Sequence, residues 1–254
     1  TSEVPLQYFK EDFESYEAGS GKTIPASAGN FFILNKDFLG TRTWECRIFS
    51  NNKYAQVTSN ASNTENQVWL ITKQIDLTDA NVPSLTFDVN VGYYNADCLS
   101  ILISENFDGT EAGVASASWT DVTSSFTLPQ TPTSGYGTLA SAGTLELSAF
   151  KGKKINVAFK YTGDGRTDAN PKKTTTYQVD NVVVSDTKTV STVSGTTTQF
   201  SYYIYQNGQW NFVNASFYQL AEEDYTSMGV ATLNATTAPN YLPILLKIKF
   251  PFVQ

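Results

Sequence analysis

The sequence predicts a mainly β protein: an antiparallel two-sheet sandwich followed by a small α+β module. Three observations carry this. Apolar residues recur with period two in short segments, most clearly Ile155, Val157, Phe159 and Tyr161, with Asn156, Ala158 and Lys160 between them. Turn-forming pairs such as Asn51-Asn52 and Asp108-Gly109 separate such segments. After Gln199 the pattern changes to one hairpin and two helical stretches.

The strands are expected at Phe31–Leu34, Trp44–Phe49, Tyr54–Thr58, Val68–Thr72, Leu85–Val91 and Leu99–Ser104, then at Lys154–Thr162 and Tyr177–Ser185. Leu85, Phe87, Val89 and Val91 alternate with Thr86, Asp88 and Asn90, so one face meets a core and the other meets solvent. Two long polar loops are expected, from Pro129 to Gly143 and from Gly163 to Lys173; the second is locally basic and reads as solvated. Residues 1–186 form the expected sandwich domain. Residues 187–199, nearly all Thr, Ser, Val and Gly, read as a linker or as an edge of the same sheet.

Residues 200–254 form the expected small module. Asn207-Gly208 signals a hairpin between Phe200–Gln206 and Gln209–Val213, because its turn type needs positive φ at both central positions. Ala221–Met228 reads as a helix with an acidic first turn and Gly229 as its stop, and Trp210 is expected to pack on it. Tyr241–Phe250 reads as a second helix, capped by Asn240 and with Pro243 in its first turn. The apolar ending Pro251-Phe252-Val253-Gln254 suggests a module that is cut short or that completes itself on the first domain.

The composition excludes whole classes of function. None of the 254 residues is histidine, so neither a Ser-His-Asp nor a Cys-His site, nor a His-ligated zinc or haem, can come from this chain. A net charge of −7 and a pI near 4.6 argue against nucleic acid as a partner, which needs clustered Lys and Arg. No D-[ST]-G motif points to an aspartic protease. Charged residues make up only 16%, and Thr 32, Ser 23 and Asn 19 fill the deficit, a profile that suits an extracytoplasmic, outer-surface or secreted β protein. No apolar run approaches a membrane span; a lipid anchor would lie upstream of Thr1. Cys46 and Cys98 read either as one disulfide or as two buried thiols. The sequons at Asn60, Asn214 and Asn234 matter only in a eukaryotic secretory host.

The ordered segments resemble a known family. They are Phe9-Lys10-Glu11-Asp12-Phe13-Glu14, Thr41-Arg42-Thr43-Trp44, Asn52-Lys53-Tyr54-Ala55, and Val68-Trp69-Leu70-Ile71-Thr72 with Ile75-Asp76-Leu77. Leu85-Thr86-Phe87-Asp88, Asp97 to Ser104, Leu147-Ser148, Val157 to Tyr161 and Tyr177 to Val182 complete the set. Over about residues 6–186 the chain is similar to the choice-of-anchor J, or cleaved-adhesin-like, jelly-roll domains of Bacteroidetes surface and secreted proteins, with their MAM-like and galactose-binding-like relatives. Its C-terminal part resembles a module that follows such domains in gut lipoproteins of unknown function. The resemblance implies a jelly-roll sandwich, adhesion or glycan binding rather than catalysis, and a glycan or host-matrix glycoprotein as partner. It also implies a structural calcium held by Glu14 and Asp180, to which Asp12, Asn52 and Asn181 could contribute.

Two further site types follow from the residues. Flat rings stack on sugar faces, and Trp44, Tyr93, Tyr94, Trp119 and Tyr136 fall at expected strand ends or loops, with Asp97 beside the Tyr93-Tyr94 pair. Taken one at a time, each of these rings reads first as core or edge packing and second as part of a sugar platform, whereas Trp69, inside the run VWLI, reads as core. A glycosidase pair would need two carboxylates about 5–10 Å apart. No local motif among the 24 acidic residues singles one out. The ranking is therefore a non-catalytic glycan-binding or adhesion protein first. An interaction module, for example accessory to an outer-membrane uptake complex, comes second, and a glycoside-active enzyme third.

Overall fold

Residues 2–25, 30–35, 40–192, 203–206, 208–212 and 220–249 are described by a computed structural model. The chain divides into two compact units, Thr1–Ser194 and Gly195–Gln254.

The first unit carries β1 (Ser2–Glu11), β2 (Phe31–Asn35), β3 (Glu45–Phe49), β4 (Asn52–Val57), β5 (Glu65–Thr72) and β6 (Ile75–Asp76). It continues with β7 (Pro83–Gly92), β8 (Leu99–Ser104), α1 (Glu111–Ser116), β9 (Thr120–Asp121), β10 (Ala140–Glu146), β11 (Lys154–Asp164) and β12 (Thr176–Thr192). One sheet orders β10-β7-β12-β4-β3, with β1 also on β12; the other orders β2-β5-β11-β8-β9, with β6 also on β11. Every strand pairing is antiparallel, and the two sheets form the expected jelly-roll sandwich.

Period-two alternation explains the layering. Leu85, Phe87, Val89 and Val91 on β7, Val157, Phe159 and Tyr161 on β11, and Tyr177 and Val179 on β12 point into one shared core. The Tyr161 hydroxyl is buried there because it is satisfied: it accepts from Ser59 N–H and donates to the Thr175 carbonyl, each at 2.9 Å. The outer face of the second sheet carries its own apolar cluster, in which Trp69, Leu102 and Ala158 pack under Phe107, Val114 and Trp119 of the α1 segment.

Several elements depart from the sequence expectation. β1 was not expected, because Pro5 interrupts its pattern; it pairs Ser2↔Thr192 through Glu11↔Val182 along β12. β10 is mostly small and polar, with no alternation to read, and is held by its pairing with β7. Residues 187–192, expected to begin a linker, are the end of β12, because β1 gives their backbone groups partners. Residues 193–199 of that expected linker lie outside the described residues. Cys46 and Cys98 are free, buried thiols, and burial pushes both up to about 11, so they are unreactive small apolar groups.

In the second unit, β13 (Tyr203–Gln206) pairs with β14 (Gln209–Phe212), and two helices follow, α2 (Glu222–Met228) and α3 (Ala238–Lys249). Residues 200–202, 207, 213 and 250 of the expected elements lie outside the described residues. Gly229 ends α2 at φ 69°, a left-handed cap that glycine adopts without a Cβ clash. The Asp224 carboxylate accepts from Ala221 N–H at 2.9 Å and pairs with Lys249 of α3 at 2.9 Å, which ties the two helices together. α3 starts three residues before the expected Tyr241: Asn234 caps Thr236 and Thr237, so Asn240 and Pro243 lie inside the helix. Trp210, expected to pack on α2, is 70% exposed.

Candidate functional site

The outer face of the first sheet follows from the same alternation. On β4, Ala55 and Val57 are core, so Tyr54 and Gln56 face outward; on β12, Tyr177 and Val179 are core, so Gln178 faces outward. The register aligns Glu45, Gln56, Gln178 and Asn90 on four neighbouring strands. Three of them form one hydrogen-bonded row. Asn90 Nδ2 donates to Gln178 Oε1 at 2.8 Å, and Gln178 Nε2 donates to Gln56 Oε1 at 2.9 Å. Gln178 and Asn90 are nearly fully buried, and amides in that position must pair with each other or lose about 1–3 kcal/mol each.

This row floors a groove of about 650 Å3. Tyr54 joins the floor; burial raises its phenol pKa, while the nearby Arg47 charge and a bond to Gln178 pull it back. One wall is the tip of the β3–β4 hairpin, with Arg47, Ile48 and Phe49, whose ring is 74% exposed. The other wall is the loop carrying Tyr136 and Leu139. Three backbone bonds strap that loop to the end of β7: Tyr93 N–H to Gly135 O at 2.8 Å, Tyr94 N–H to Pro132 O at 3.0 Å and Gly137 N–H to Val91 O at 3.0 Å. Tyr93 holds a left-handed φ of 50°, which costs a non-glycine residue about 1–2 kcal/mol. Its ring meets the Tyr136 ring edge-to-face at 5.5 Å, and both rings are about half exposed. Asn95 fastens the adjoining loop to the start of β12, accepting from Thr174 N–H at 2.9 Å and donating its own N–H to Thr175 Oγ1 at 3.0 Å.

The residues expected to bind sugar separate into distinct places. Tyr136 lines the groove and Tyr93 packs on its ring. Trp44 does not belong to a sugar platform: it is fully buried, since the strand alternation turns it inward. Tyr94 is half-buried against the core, its hydroxyl donating to Asp97 at 3.0 Å; Gln130 also donates to Asp97, away from the groove. Trp119 is a structural ring too, 5.1 Å from Trp69 and 5.6 Å from Phe107, with its N–H on the Val114 carbonyl at 3.0 Å. The floor residues Gln56, Asn90 and Gln178 carry no local signal, since an amide in a strand looks like any solvent-facing residue.

The expected calcium corner was Glu14, Asp180, Asn181 and Asp12. Asp180 is 1% exposed, and burial, with the charges of Asp88 and Glu14, pushes its pKa up to about 6. Its oxygens accept from Asn52 Nδ2 at 2.9 Å and Asn181 N–H at 2.7 Å. Asn181 donates its amide to Asp88 at 2.9 Å, and Asp12 pairs with Lys10 at 3.2 Å. Glu14 accepts from the Lys53 backbone, and the Lys53 ammonium sits on the Glu14 and Tyr16 carbonyls, each bond 2.8 Å. Among the described residues no three His, Cys, Asp or Glu side chains gather as a metal site. Protein donors occupy oxygens of Asp180, Glu14 and Asp12 in this structure, and a calcium ion, which asks for six to eight oxygens, would have to displace the Asn52 amide and the Lys53 ammonium to gather them.

A slightly larger cleft of about 730 Å3 lies between the start of β5 and the loop from Thr162 to Lys173. Its charges answer one another, with Arg166 on Glu65 at 2.6 Å and on Asp164 at 2.8 Å, and no aromatic ring lines it. The groove is therefore the better candidate, since it joins ring faces to unspent amide donors. Among the described residues no helix is long and apolar enough to cross a membrane.

A family model described as "Domain of unknown function (DUF5017)" matches residues 72–202, from the end of β5 through β12. No curated protein matches the chain. Among solved structures it is similar to the K3 cleaved adhesin domain of Lys-gingipain from Porphyromonas gingivalis, at 20% identity over 73% of this chain and 100% of that one, with a TM-score of 0.42. It is also similar to the CBM22-1 xylan-binding domain of Xyn10C from Paenibacillus barcinonensis, at 11% identity over 73% of this chain and 97% of that one, TM-score 0.33. A family 11 carbohydrate-binding module from Clostridium thermocellum, in complex with a mixed-linked tetrasaccharide, matches at 12% identity over 65% of this chain and 95% of that one, TM-score 0.36.

Proposed function

The chain belongs to the DUF5017 family, and from that premise, which carries no activity, we propose that it is a non-catalytic glycan-binding module acting through the groove on its first sheet. One observation supports this reading above the others: a row of buried, mutually bonded amides flanked by exposed aromatic rings. Amides read sugar hydroxyls in both directions, as donor and as acceptor, and ring faces stack on the apolar side of a pyranose. The amides are held in place before any ligand arrives, which lowers the ordering cost of binding. The groove lining contains no carboxylate, so the acid pair that glycoside hydrolysis requires is not there. A surface or secreted setting, which the Thr-, Ser- and Asn-rich composition supports, belongs to the same reading.

A second reading has its own observation. Ile48 and Phe49 stand exposed at the hairpin tip, as a protein-docking contact would require. A glycan array with the full chain decides between them. Binding to a defined sugar class that Tyr136→Ala weakens supports the glycan reading. A blank array from folded protein, with a protein partner lost on Phe49→Ala, transfers the function to the second.

A further inference from the structure

The charge and the hydrogen-bond direction of the groove point one step further. The chain carries 24 acidic and 17 basic residues, yet the groove lining holds one arginine and no carboxylate. The amide row is directional. Asn90 gives to Gln178 and Gln178 gives to Gln56, so the Gln56 carbonyl oxygen is turned toward Gln178 and its NH2 group is left toward a ligand. Gln56 and Arg47 lie on the adjacent strands β4 and β3, on the diagonal set by Glu45↔Gln56 and Arg47↔Tyr54. Side chains on such a diagonal reach a common point. Glu45, outside the lining, takes Arg47 Nη1 at 3.0 Å, which fixes the guanidinium and leaves the rest of its fork free. This end of the groove thus offers a planar guanidinium, held on one side by its ion pair with Glu45, whose remaining N–H groups lie beside an amide donor, a match for a planar acceptor-only group.

We propose that the groove selects a carboxylated sugar, such as a hexuronic acid, whose carboxylate sits on Arg47 and the Gln56 amide while its ring lies toward Tyr136. This rests on the glycan-binding reading and narrows it to acidic glycans. Tyr54, buried beside Arg47, shapes the floor beneath that carboxylate. Attraction from Arg47 is local, so the binding is salt-sensitive although the whole chain is acidic.

The experiment uses the full chain on an array of carboxylated, sulfated and neutral glycans, followed by titrations with the best carboxylated ligand and its methyl ester. The expected result is binding confined to carboxylated members, weakened roughly tenfold or more by esterification or by Arg47→Ala, with Arg47→Lys between, as loss of a charge-assisted pair predicts. Circular dichroism and melting of each variant separate lost binding from lost folding. Binding to neutral glycans that Arg47→Ala leaves unchanged overturns this proposal and leaves the glycan reading standing. Binding to sulfated members alone overturns the carboxylate assignment. An array blank in every class removes the glycan reading, and this proposal with it.

Discussion

Gly92 lies directly under the ring of Tyr136: a methyl group at Gly92 would stand 2.5 Å from Tyr136 Cδ1, far inside van der Waals contact. The groove wall therefore depends on a residue that is not itself part of the groove lining. Gly92→Ala is expected to displace the Tyr136 ring and to weaken glycan binding about as much as Tyr136→Ala. Losing one stacked ring is roughly a tenfold effect. Parallel titrations of the two variants check this, and full affinity in Gly92→Ala would sink the positioning role.

Gln178 holds the floor from the middle. Gln178→Ala leaves Asn90 without an acceptor and Gln56 without a donor, both of them facing a partly dry surface. The expected loss is about 1–3 kcal/mol of folding stability together with most of the binding. Chemical denaturation and titration of the same sample measure both; a variant with intact stability would show that water replaces the amide.

Trp44 and Trp119 are expected to fail as binding residues and succeed as structural ones. Trp44→Ala removes a fully buried ring and should cost about 3–5 kcal/mol. The Trp44 indole nitrogen has no hydrogen-bond partner among the described residues, so Trp44→Phe should be far milder. Trp119→Phe, which keeps a ring on Trp69, should leave glycan affinity unchanged.

Asp180 gives the fold a pH signature. Its folded pKa is raised to about 6 from the ordinary 3.8, so between those values the folded protein holds more proton than the unfolded chain. That contribution to stability is fully present below about pH 4 and is lost as pH rises through about 6. Asp180→Asn removes it. The variant should melt near wild type at pH 4 and above wild type at pH 7.5. Parallel melting curves that keep a constant gap across this range would refute the assignment.

The Lys53 ammonium on the Glu14 and Tyr16 carbonyls leads to a fifth expectation. The melting temperature should be the same in millimolar calcium and in chelator, while Lys53→Met should lower it. A rise of several degrees with calcium in the unaltered chain would restore Glu14 and Asp180 as ligands.

The sandwich was legible because burial writes itself into local pattern. Ile155, Val157, Phe159 and Tyr161 announce an inward face, and nothing distant is needed to read it. Elements with weak patterns escaped: β10 is polar, and β1 is interrupted by Pro5, so only pairing with β7 and β12 makes them strands. The candidate site was legible in part. Tyr93 and Tyr136 stood out as aromatics in polar loops, and they form the wall pair. Trp44 carried the same local signature and proved to be core.

By itself, the sequence determined the mainly β class, the positions of the longer strands and the impossibility of histidine chemistry, since each depends on composition or on residues a few places apart. Tertiary structure alone decided the groove. Gln56, Gln178 and Asn90 lie 122 and 88 residues apart along the chain, and a row of side chains across a sheet exists only once strand order and register bring them into line. Arg47 and Gln56 differ: they lie on a diagonal across the β3–β4 hairpin, whose register the short turn at Ser50-Asn51 sets locally.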